Sequence, residues 1–501
     1  MTESTSAKPT GLLGSFPRVF WVANVMELFE RAAYYGMNSV LAVYLSNSVD
    51  KGGLGFTESS VGFLQSLIYA CTYVVPILGG ALADRYGYRR MLVVAFSFMT
   101  VGYWLTGAQS AYALVFSALL VMAFGAGLFK PIISGTIARS TNESNSGFGF
   151  GIYYWMINMG AFLAPLVVTY LKGRSWRYVF IASAAYVALQ IPLALLLFRD
   201  PPKPASTKSL AEVLHGAATV LGDARFMLMI VVYSCFWILY FQTFGSVLWY
   251  LRDFVDASPV DALLASVGLN VKFDAEHVTV INALTIILLQ VLVSRVVKNV
   301  APLPTMISGL VLGALGFLCL SASRNVWVFI LGIAVFSIGE MTAHPKYYSY
   351  IGLVAPADKK AVYMGYAFLY GVIGSLIGSS AGGALYDARL KPLIGQVGIE
   401  GDLRAFWLLF VFLDAAAVVG LFLYNRYFAA DTPATNEKAR RIMLGVYSLL
   451  VLVGAWFLYS SVAGRPEPSY KTMVQAVIML VIGGGGVWFS SRRRHPGAAP
   501  A

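Results

Sequence analysis

An otherwise apolar segment near the N-terminus contains three ionisable side chains and a phenol. They are spaced at i, i+3, i+4 and i+7, and are Glu27, Glu30, Arg31 and Tyr34. This spacing places all four on one face of an α-helix. A charge at bilayer depth costs at least a few kcal/mol, so this face is predicted to point into a helical bundle and to mark an ion or substrate route. The alternative, a purely structural ion pair between Glu27 and Arg31, leaves Glu30 unexplained.

The composition of the chain requires lipid around such segments. Of the 501 residues, 58% are hydrophobic and only 12% are charged, and the mean hydropathy is +0.70. Polar surface is therefore too scarce to cover a soluble globule. Apolar runs of about 20 residues, the length of a membrane-crossing helix, recur from residue 17 to residue 490. We predict an all-α, multi-pass protein of the lipid bilayer.

The apolar runs form two groups of six and a final pair, with a polar stretch between the groups. Six and six, split by a polar linker, is the pattern of two repeated bundles. We predict an N-terminal six-helix bundle, a cytoplasmic linker, a second six-helix bundle, and two appended membrane helices with a basic tail. The corresponding ranges are 1–198, 199–225, 226–428 and 429–501.

Lys and Arg collect in the loops between the apolar runs. A formal net charge of +12 would suggest nucleic-acid binding in a soluble domain, but cations in the loops of a membrane protein report its orientation. If both termini are cytoplasmic, more Lys and Arg residues lie on the cytoplasmic side of the membrane than on the outer side. We therefore predict cytoplasmic termini in the inner or plasma membrane and no nucleic-acid partner. Three cations fall on the outer face and count against this orientation, namely Lys172, Arg174 and Arg177.

The loop between the second and third helices carries a dense motif, GALADRYGYRR, at residues 80–90. Its glycines permit a tight turn and close helix approach, and Asp84 beside several arginines can latch neighbouring helix ends in one conformation. The segment resembles the loop signature of the major facilitator superfamily, G-x-x-x-D-R-x-G-x-R-R. The matching positions are Gly80, Asp84, Arg85, Gly87, Arg89 and Arg90. The resemblance implies a major facilitator fold, in which two six-helix bundles rock about a central site.

Other segments resemble one family in particular, the proton-dependent oligopeptide transporters. The first helix reads ELFERAAYYG from Glu27 to Gly36 and is similar to the family's E-x-x-E-R-F-x-Y-Y-G, with Ala32 in place of Phe. The fourth helix reads GLFKP around Lys130, which is similar to G-x-x-K-P. The resemblance extends over residues 17–428.

The same family resemblance continues in four later helices. The fifth contains Asn158 in a segment similar to F-Y-x-x-I-N-x-G-A-F-x-x-P, and the eighth contains Asn282 near its start. The seventh contains Trp237 in a segment similar to F-W-x-x-x-E-Q. The tenth contains Glu340 in a segment similar to G-E-x-x-x-x-P.

Charges in these positions suit a short peptide. A dipeptide or tripeptide is a zwitterion, so a promiscuous site must grip its two ends and tolerate its side chains. Arg31 and Lys130 in the first bundle can hold the carboxylate, and Glu340 in the second can hold the ammonium group. The resemblance implies the same assignment, with Glu27, Glu30 and Arg31 in proton coupling.

Uncharged side chains complete the predicted substrate site. Tyr34, Tyr35, Asn158 and Asn282 would supply hydrogen bonds, and the resemblance adds Trp237. For each of the two tyrosines and two asparagines, core packing or helix–helix hydrogen bonding is an equally good interpretation.

The sequence departs from the family pattern in several places. Phe241 stands where many members have a carboxylate in the seventh helix, and Tyr366 replaces a usual Trp in the eleventh. His344, one turn after Glu340, is an alternative titrating group or a partner for a backbone carbonyl. Asp414 is an intramembrane acid with no family role.

No motif indicates enzymatic chemistry. The three cysteines each lie in an apolar run, and no paired Cys or His spacing or Walker-type loop is present. We therefore predict no catalytic residue, metal site or cofactor. The predicted function is proton-coupled import of dipeptides and tripeptides by alternating access. The alternatives are a carrier of another small organic or inorganic ion, such as nitrate or a drug-like solute, and a non-transporting peptide receptor.

Overall fold

The computed structural model describes residues 15–142, 145–200, 212, 215–216, 220–356, 359–463 and 469–492. Within these ranges the regular structure is helical, apart from one isolated bridge between Asp256 and Asn325. The predicted linker at 199–225 lies largely outside the described residues.

The first half of the chain forms six membrane spans, the last of which is interrupted at Leu189. The second span begins at the side chain of Thr57, which accepts a hydrogen bond from Ser60 N. It ends at Gly87, whose φ of 93° favours glycine. The helices are α1 (Arg18–Ser46), α2 (Glu58–Tyr86), α3 (Tyr88–Ala108), α4 (Tyr112–Arg139), α5 (Ser146–Lys172), α6 (Trp176–Ala188) and α7 (Gln190–Leu196).

The second half also forms six spans, and two of these are interrupted. The seventh span breaks between Gln242 and Ser246, and the eleventh breaks between Tyr366 and Leu369. The helices are α8 (Ala224–Gln242), α9 (Ser246–Phe254), α10 (Ser258–Ser266), α11 (Glu276–Val296), α12 (Pro302–Ala322), α13 (Val326–Val354), α14 (Lys360–Tyr366), α15 (Leu369–Leu385) and α16 (Glu400–Tyr427). Short turns at Tyr386–Leu390 and Lys391–Leu393 prolong α15.

Two further helices, α17 (Pro433–Val462) and α18 (Tyr470–Arg492), pack against each other, and α17 also packs on α8. Thirteen spans in the described chain are long and apolar enough to cross a membrane. Helix α1 is not among these thirteen, because Glu27, Glu30 and Arg31 reduce its apolar character. Its 29 residues are long enough to cross a membrane, and we count it as the fourteenth span. The predicted fold of two six-helix bundles plus two C-terminal helices is confirmed.

The two halves meet mainly through two helix pairs, α2 with α15 and α5 with α11, and α1 adds smaller contacts with α9 and α11. Helices α2 and α15 approach closely because a glycine on each helix contacts the backbone of the other. A Cβ on Gly62 would lie 2.3 Å from Ser379 O, and one on Gly383 would lie 2.4 Å from Glu58 O. Glycine is therefore required on both helices where the halves touch.

One end of the molecule, which we call the linker face, carries residues 84–90 and 139–142. The opposite face carries residues 47–57, 173–175 and 255–275. On the opposite face, polar contacts cross between the halves, since Glu58 accepts from Arg252 Nη2 at 3.2 Å and from Lys391 Nζ at 2.6 Å. The structure is therefore closed at the opposite face.

Candidate functional site

The ionisable residues of α1 form one buried cluster. Arg31 Nε lies 3.3 Å from Glu27 Oε1 and 2.5 Å from Glu30 Oε2, and the Arg31 guanidinium also pairs with Glu30 through Nη2. All three residues are buried. The predicted inward-facing helical surface is therefore present, and Arg31 holds both carboxylates at once.

Lys130 joins this cluster from α4. Helices α4 and α2 approach closely here, because a Cβ on Gly127 would lie 2.5 Å from Val75 Cβ. Lys130 Nζ lies 3.4 Å from Thr72 O and 5.0 Å from the ring centroid of Tyr73. The ammonium group is also within electrostatic range of Arg31 and both glutamates. Two cations and two carboxylates of the first half thus share one region.

Glu340 lies in the second half, on α13. Asn282 Nδ2, on α11, donates to Glu340 Oε2 at 3.0 Å and to Ser337 Oγ at 2.9 Å. Within the described ranges, Glu340 forms no ion pair with Lys, Arg or His. The carboxylate is therefore oriented by an uncharged donor and left available to a cation.

Tyrosines of the first half connect the two charged regions. Tyr35 on α1 lies within electrostatic range of Arg31 and of Glu340, and its phenol lies near Tyr240 of α8. Tyr154 on α5 is also within range of Glu340. Tyr35 is therefore a side chain that lies near both the α1 cluster and Glu340.

Aromatic side chains fill the boundary of this region. Tyr73 lies 6.0 Å from Tyr370, measured between ring centroids, and Trp237 lies 4.4 Å from both Tyr370 and Tyr240. Trp237 Nε1 is buried and has no hydrogen-bond partner among the described residues. A buried indole donor without a partner is costly unless a ligand or water accepts from it. The predicted substrate contact of Trp237 is consistent with this geometry.

The remaining predicted contacts differ in how they are placed. Tyr34 and Tyr35 flank Arg31, whose guanidinium carbon lies 5.3 and 6.0 Å from their ring centroids. Asn158 Nδ2 instead donates to Tyr154 O of its own helix at 2.9 Å. For Asn158 the structural interpretation is the one that the geometry favours.

His344 lies one turn from Glu340 inside the aromatic boundary. Its Nδ1 is 3.4 Å from Tyr233 Oη, and its ring centroid is 5.0 Å from Trp237 and 5.1 Å from Tyr348. The partner of His344 is thus a phenol and not a backbone carbonyl.

The loop at residues 80–90 uses a partner that sequence reasoning missed. Asp84 Oδ1 lies 2.9 Å from Arg139 Nη2 on α4, while Arg85, Arg89 and Arg90 are exposed. Arg139 ends the fourth helix as an isolated cation, which is the only sequence signal for it. The latch between neighbouring helices therefore joins α2 to α4 within the first half.

Close helix packing was predicted at Gly80, but the structure shows it at Gly79. A Cβ on Gly79 would lie 3.2 Å from Pro131 Cγ and 3.3 Å from Gly127 O, whereas one on Gly80 would make an ordinary contact at 3.7 Å. Sequence reasoning also missed Tyr153, whose phenol lies near Glu27. A phenol inside a membrane span, one turn from other polar groups, was the available signal.

These features define an all-helical membrane protein of two six-helix bundles, each of which contains buried charged residues. The family model of the Major Facilitator Superfamily matches residues 25–271. The crystal structure of a peptide transporter POT in complex with sulfate superposes with a TM-score of 0.68 at 20% identity, covering 82% of this chain and 94% of that one. At this identity the likeness concerns the fold.

Curated relatives that match part of the chain include transporters of short peptides. The di-/tripeptide transporter of Lactococcus lactis subsp. lactis is 34% identical over 173 residues, which is 33% of each chain. The peptide transporter YePEPT of Yersinia enterocolitica subsp. palearctica is 31% identical over 195 residues, which is 37% of each chain. The matched part thus spans little more than a third of these relatives. In these partial matches, as in its motifs, the chain is similar to peptide transporters of the major facilitator superfamily.

Proposed function

We propose that this chain is a proton-coupled symporter that imports dipeptides and tripeptides by alternating access. The observation that carries the proposal is that the buried Arg31 and the half-buried Lys130 are cations of the first half, whereas Glu340 of the second half has no ion-pair partner among the described residues. A peptide would bridge them, with its carboxylate on the cations and its ammonium group on Glu340. At about 5 Å and an effective dielectric near 20, each such pair contributes roughly 3 kcal/mol before desolvation, enough to bias a two-state equilibrium.

Proton coupling would use the α1 cluster. Arg31 contacts both Glu27 and Glu30 in this structure. Protonation of a glutamate would release the guanidinium to the substrate carboxylate, and loss of that proton on the other side would draw it back. The same arginine thereby links proton binding to substrate binding.

The rocking units in this proposal are residues 1–198 and 226–428. With both termini in the cytoplasm of a cell bounded by the inner or plasma membrane, the linker face is cytoplasmic and the opposite face is external. The structure then corresponds to a state closed to the outside. The Glu58 contacts with Arg252 and Lys391 stabilise this state and must separate when the carrier opens outward.

The test is uptake of radiolabelled dipeptides into proteoliposomes under an imposed pH gradient. Wild type should accumulate peptide, and Glu340→Gln and Lys130→Ala should each reduce coupled uptake at least about tenfold, the effect of losing roughly 1.4 kcal/mol of binding. Glu400→Gln, which alters an exposed acid of the opposite face, is the matched control. Absence of uptake for every peptide mixture would refute the proposal. Uptake of nitrate or another anion in place of peptide would identify a different carrier, and binding without accumulation would identify a receptor.

A further inference from the structure

Four cations surround one cavity on the opposite face. The cavity has a volume of about 400 Å³ and lies where α5 ends, α6 begins and the loop after α1 folds over them. Its charged lining consists of Lys51, Lys172, Arg174 and Arg177. Three of these are the cations whose outer location opposed the general charge distribution of the loops.

The walls of the cavity are fixed by an aromatic residue. Trp176 Nε1 donates to Lys51 O at 3.2 Å, which fastens the loop after α1 to the start of α6. The Trp176 ring lies 5.6 Å from that of Tyr44, and Lys172 Nζ lies 5.9 Å from the Trp176 ring centroid. The cations are therefore gathered around a built pocket. Trp and Tyr at a span end also suit the depth of lipid headgroups.

The acidic groups near the cavity compensate only part of its charge. Asp274 and Glu276 both bind Lys172, at 2.5 and 2.6 Å from its Nζ. Asp50 is the chain neighbour of Lys51.

The two arginines keep their charge available. Arg174 lies over the ring of Tyr170, with 4.6 Å to the centroid, and Arg177 is exposed. Neither has an acidic partner in the part of the chain that the structure describes. The pocket thus keeps an excess of positive charge beside the N-terminus of α6, where the helix dipole adds partial positive charge.

Several donors around one small volume suit an anion with several oxygens. Guanidinium groups bind phosphate oxygens through paired N–H donors, and Lys adds a point charge. We propose that this cavity binds a phosphate group, either free or in the headgroup of an anionic phospholipid, and that this binding competes with Asp274 and Glu276 for Lys172.

The competition would act on the closure of the carrier. Lys172 ends α5 in the first half, whereas Asp274 and Glu276 begin α11 in the second, so their ion pairs hold the halves together on this face. Glu276 also accepts from Thr169 Oγ1 at 2.8 Å. An anion that draws Lys172 away weakens this closure, and closure weakens anion binding by the same factor. The pocket does not depend on which solute the carrier moves.

The experiment measures anion binding to the purified full-length protein at fixed ionic strength. Inorganic phosphate is titrated by calorimetry, and retention of phosphatidylglycerol is compared with that of phosphatidylethanolamine by native mass spectrometry. Arg177→Gln and Lys51→Gln should each weaken binding of the retained anion by about fivefold, as for loss of one partly exposed ion pair. Asp274→Asn should tighten binding severalfold, since it removes a competitor for Lys172.

Arg404→Gln is the matched control, because Arg404 is an exposed cation of the same face and does not line the cavity. Binding of phosphate alone assigns a soluble ligand, and selective retention of phosphatidylglycerol assigns a lipid. Failure of both anions to bind would overturn the proposal. Equal losses in Arg177→Gln and Arg404→Gln would overturn it as well, and an unchanged affinity in Asp274→Asn would remove the competition.

Discussion

Phe241 of the second half stacks on Tyr69 of the first half, with 5.1 Å between ring centroids and an interplanar angle of 22°. Tyr69 is held in place, because its hydroxyl donates to Asn38 Oδ1 at 2.7 Å and accepts from Gln65 Nε2 at 3.0 Å. The position at which the family resemblance predicts a carboxylate is thus occupied by a contact between the halves. In this chain the seventh span contributes packing there and no titratable group.

The first prediction concerns this stack. Phe241→Leu keeps the site apolar but removes the ring, so the protein should lose about 1 kcal/mol of stability, the contribution of an aromatic pair beyond its burial. The measurement is thermal unfolding in detergent. Phe241→Tyr retains the ring and should melt near wild type, and Phe412→Leu changes an exposed ring on α16. A Phe241→Leu protein that melts like Phe412→Leu would show that the stack contributes nothing.

The second prediction concerns Arg31 and its two carboxylates. Arg31→Gln leaves Glu27 and Glu30 buried without a cation, which is expected to cost about 3 kcal/mol or more. Glu27→Gln leaves the pair with Glu30 intact and should cost less. Chemical unfolding of both variants and of the double variant Arg31→Gln/Glu30→Gln gives the comparison. The double variant should be more stable than Arg31→Gln alone, and the reverse order would contradict the paired geometry.

The third prediction concerns the ion pairs of Glu58, which is buried on the opposite face. Glu58→Gln weakens its contacts with Arg252 and Lys391, so the closed state should be less populated. Ser246 is buried about two turns from Arg252 along α9. Its accessibility therefore reports the opening of this face. In a background without Cys71, Cys235 and Cys319, Ser246→Cys should react severalfold faster with an impermeant maleimide when Glu58→Gln is present.

Glu400→Gln is the control for that experiment, because Glu400 pairs with Arg324 within the second half of the same face. It should leave the labelling rate unchanged. Equal rates in the Glu58→Gln and Glu400→Gln backgrounds would mean that the Glu58 contacts do not hold the closed state.

The fourth prediction concerns the donor that orients Glu340. Asn282→Ala removes the amide 3.0 Å from Glu340 Oε2, so a peptide ammonium group would meet a less ordered carboxylate. KM for dipeptide uptake should rise about five- to tenfold, as for loss of roughly 1 kcal/mol of binding, while the melting temperature changes little. Thr285→Ala, on the same helix but bonded to its own backbone, should leave KM unchanged. Matching KM values in the two variants would exclude a role of Asn282 in the site.

Much of the fold could be predicted from the sequence because membrane spans follow from local composition. Runs of apolar residues about 20 long must form helices in lipid, since no other local structure satisfies the backbone. The breaks at Leu189, at residues 243–245 and at residues 367–368 could not be predicted in this way. They interrupt the helices over only one to three residues, which is too short a stretch to lower the hydropathy of the span as a whole.

The charged part of the site was also predictable, because a charge in an apolar run is expensive and has few explanations. Which charged residues pair with each other could not be predicted. Asp84 lies beside three arginines in sequence but pairs with Arg139, 55 residues later, and only the packing of α2 on α4 decides this. Tyr73 and Tyr370 were missed for a related reason, since an aromatic residue in a membrane span is as common in packing as in binding.

The last prediction concerns Asp414, an acid of α16 that the proposed transport mechanism does not use. It is fully buried, and neither carboxyl oxygen has a hydrogen-bond partner among the described residues. Its Oδ2 lies 3.0 Å from the position of a Cβ on Gly313, so it faces α12 inside the second half and not the region of Glu340. A buried carboxyl group without partners costs stability. Asp414→Asn should therefore unfold at the same temperature as wild type or a few degrees higher, and Asp414→Leu should be tolerated if the cavity accepts its shape.

Peptide uptake under a pH gradient should stay at the wild-type level in Asp414→Asn. Loss of coupled uptake in a variant that remains as stable as wild type would instead make Asp414 a second proton site, and would move part of the coupling away from α1.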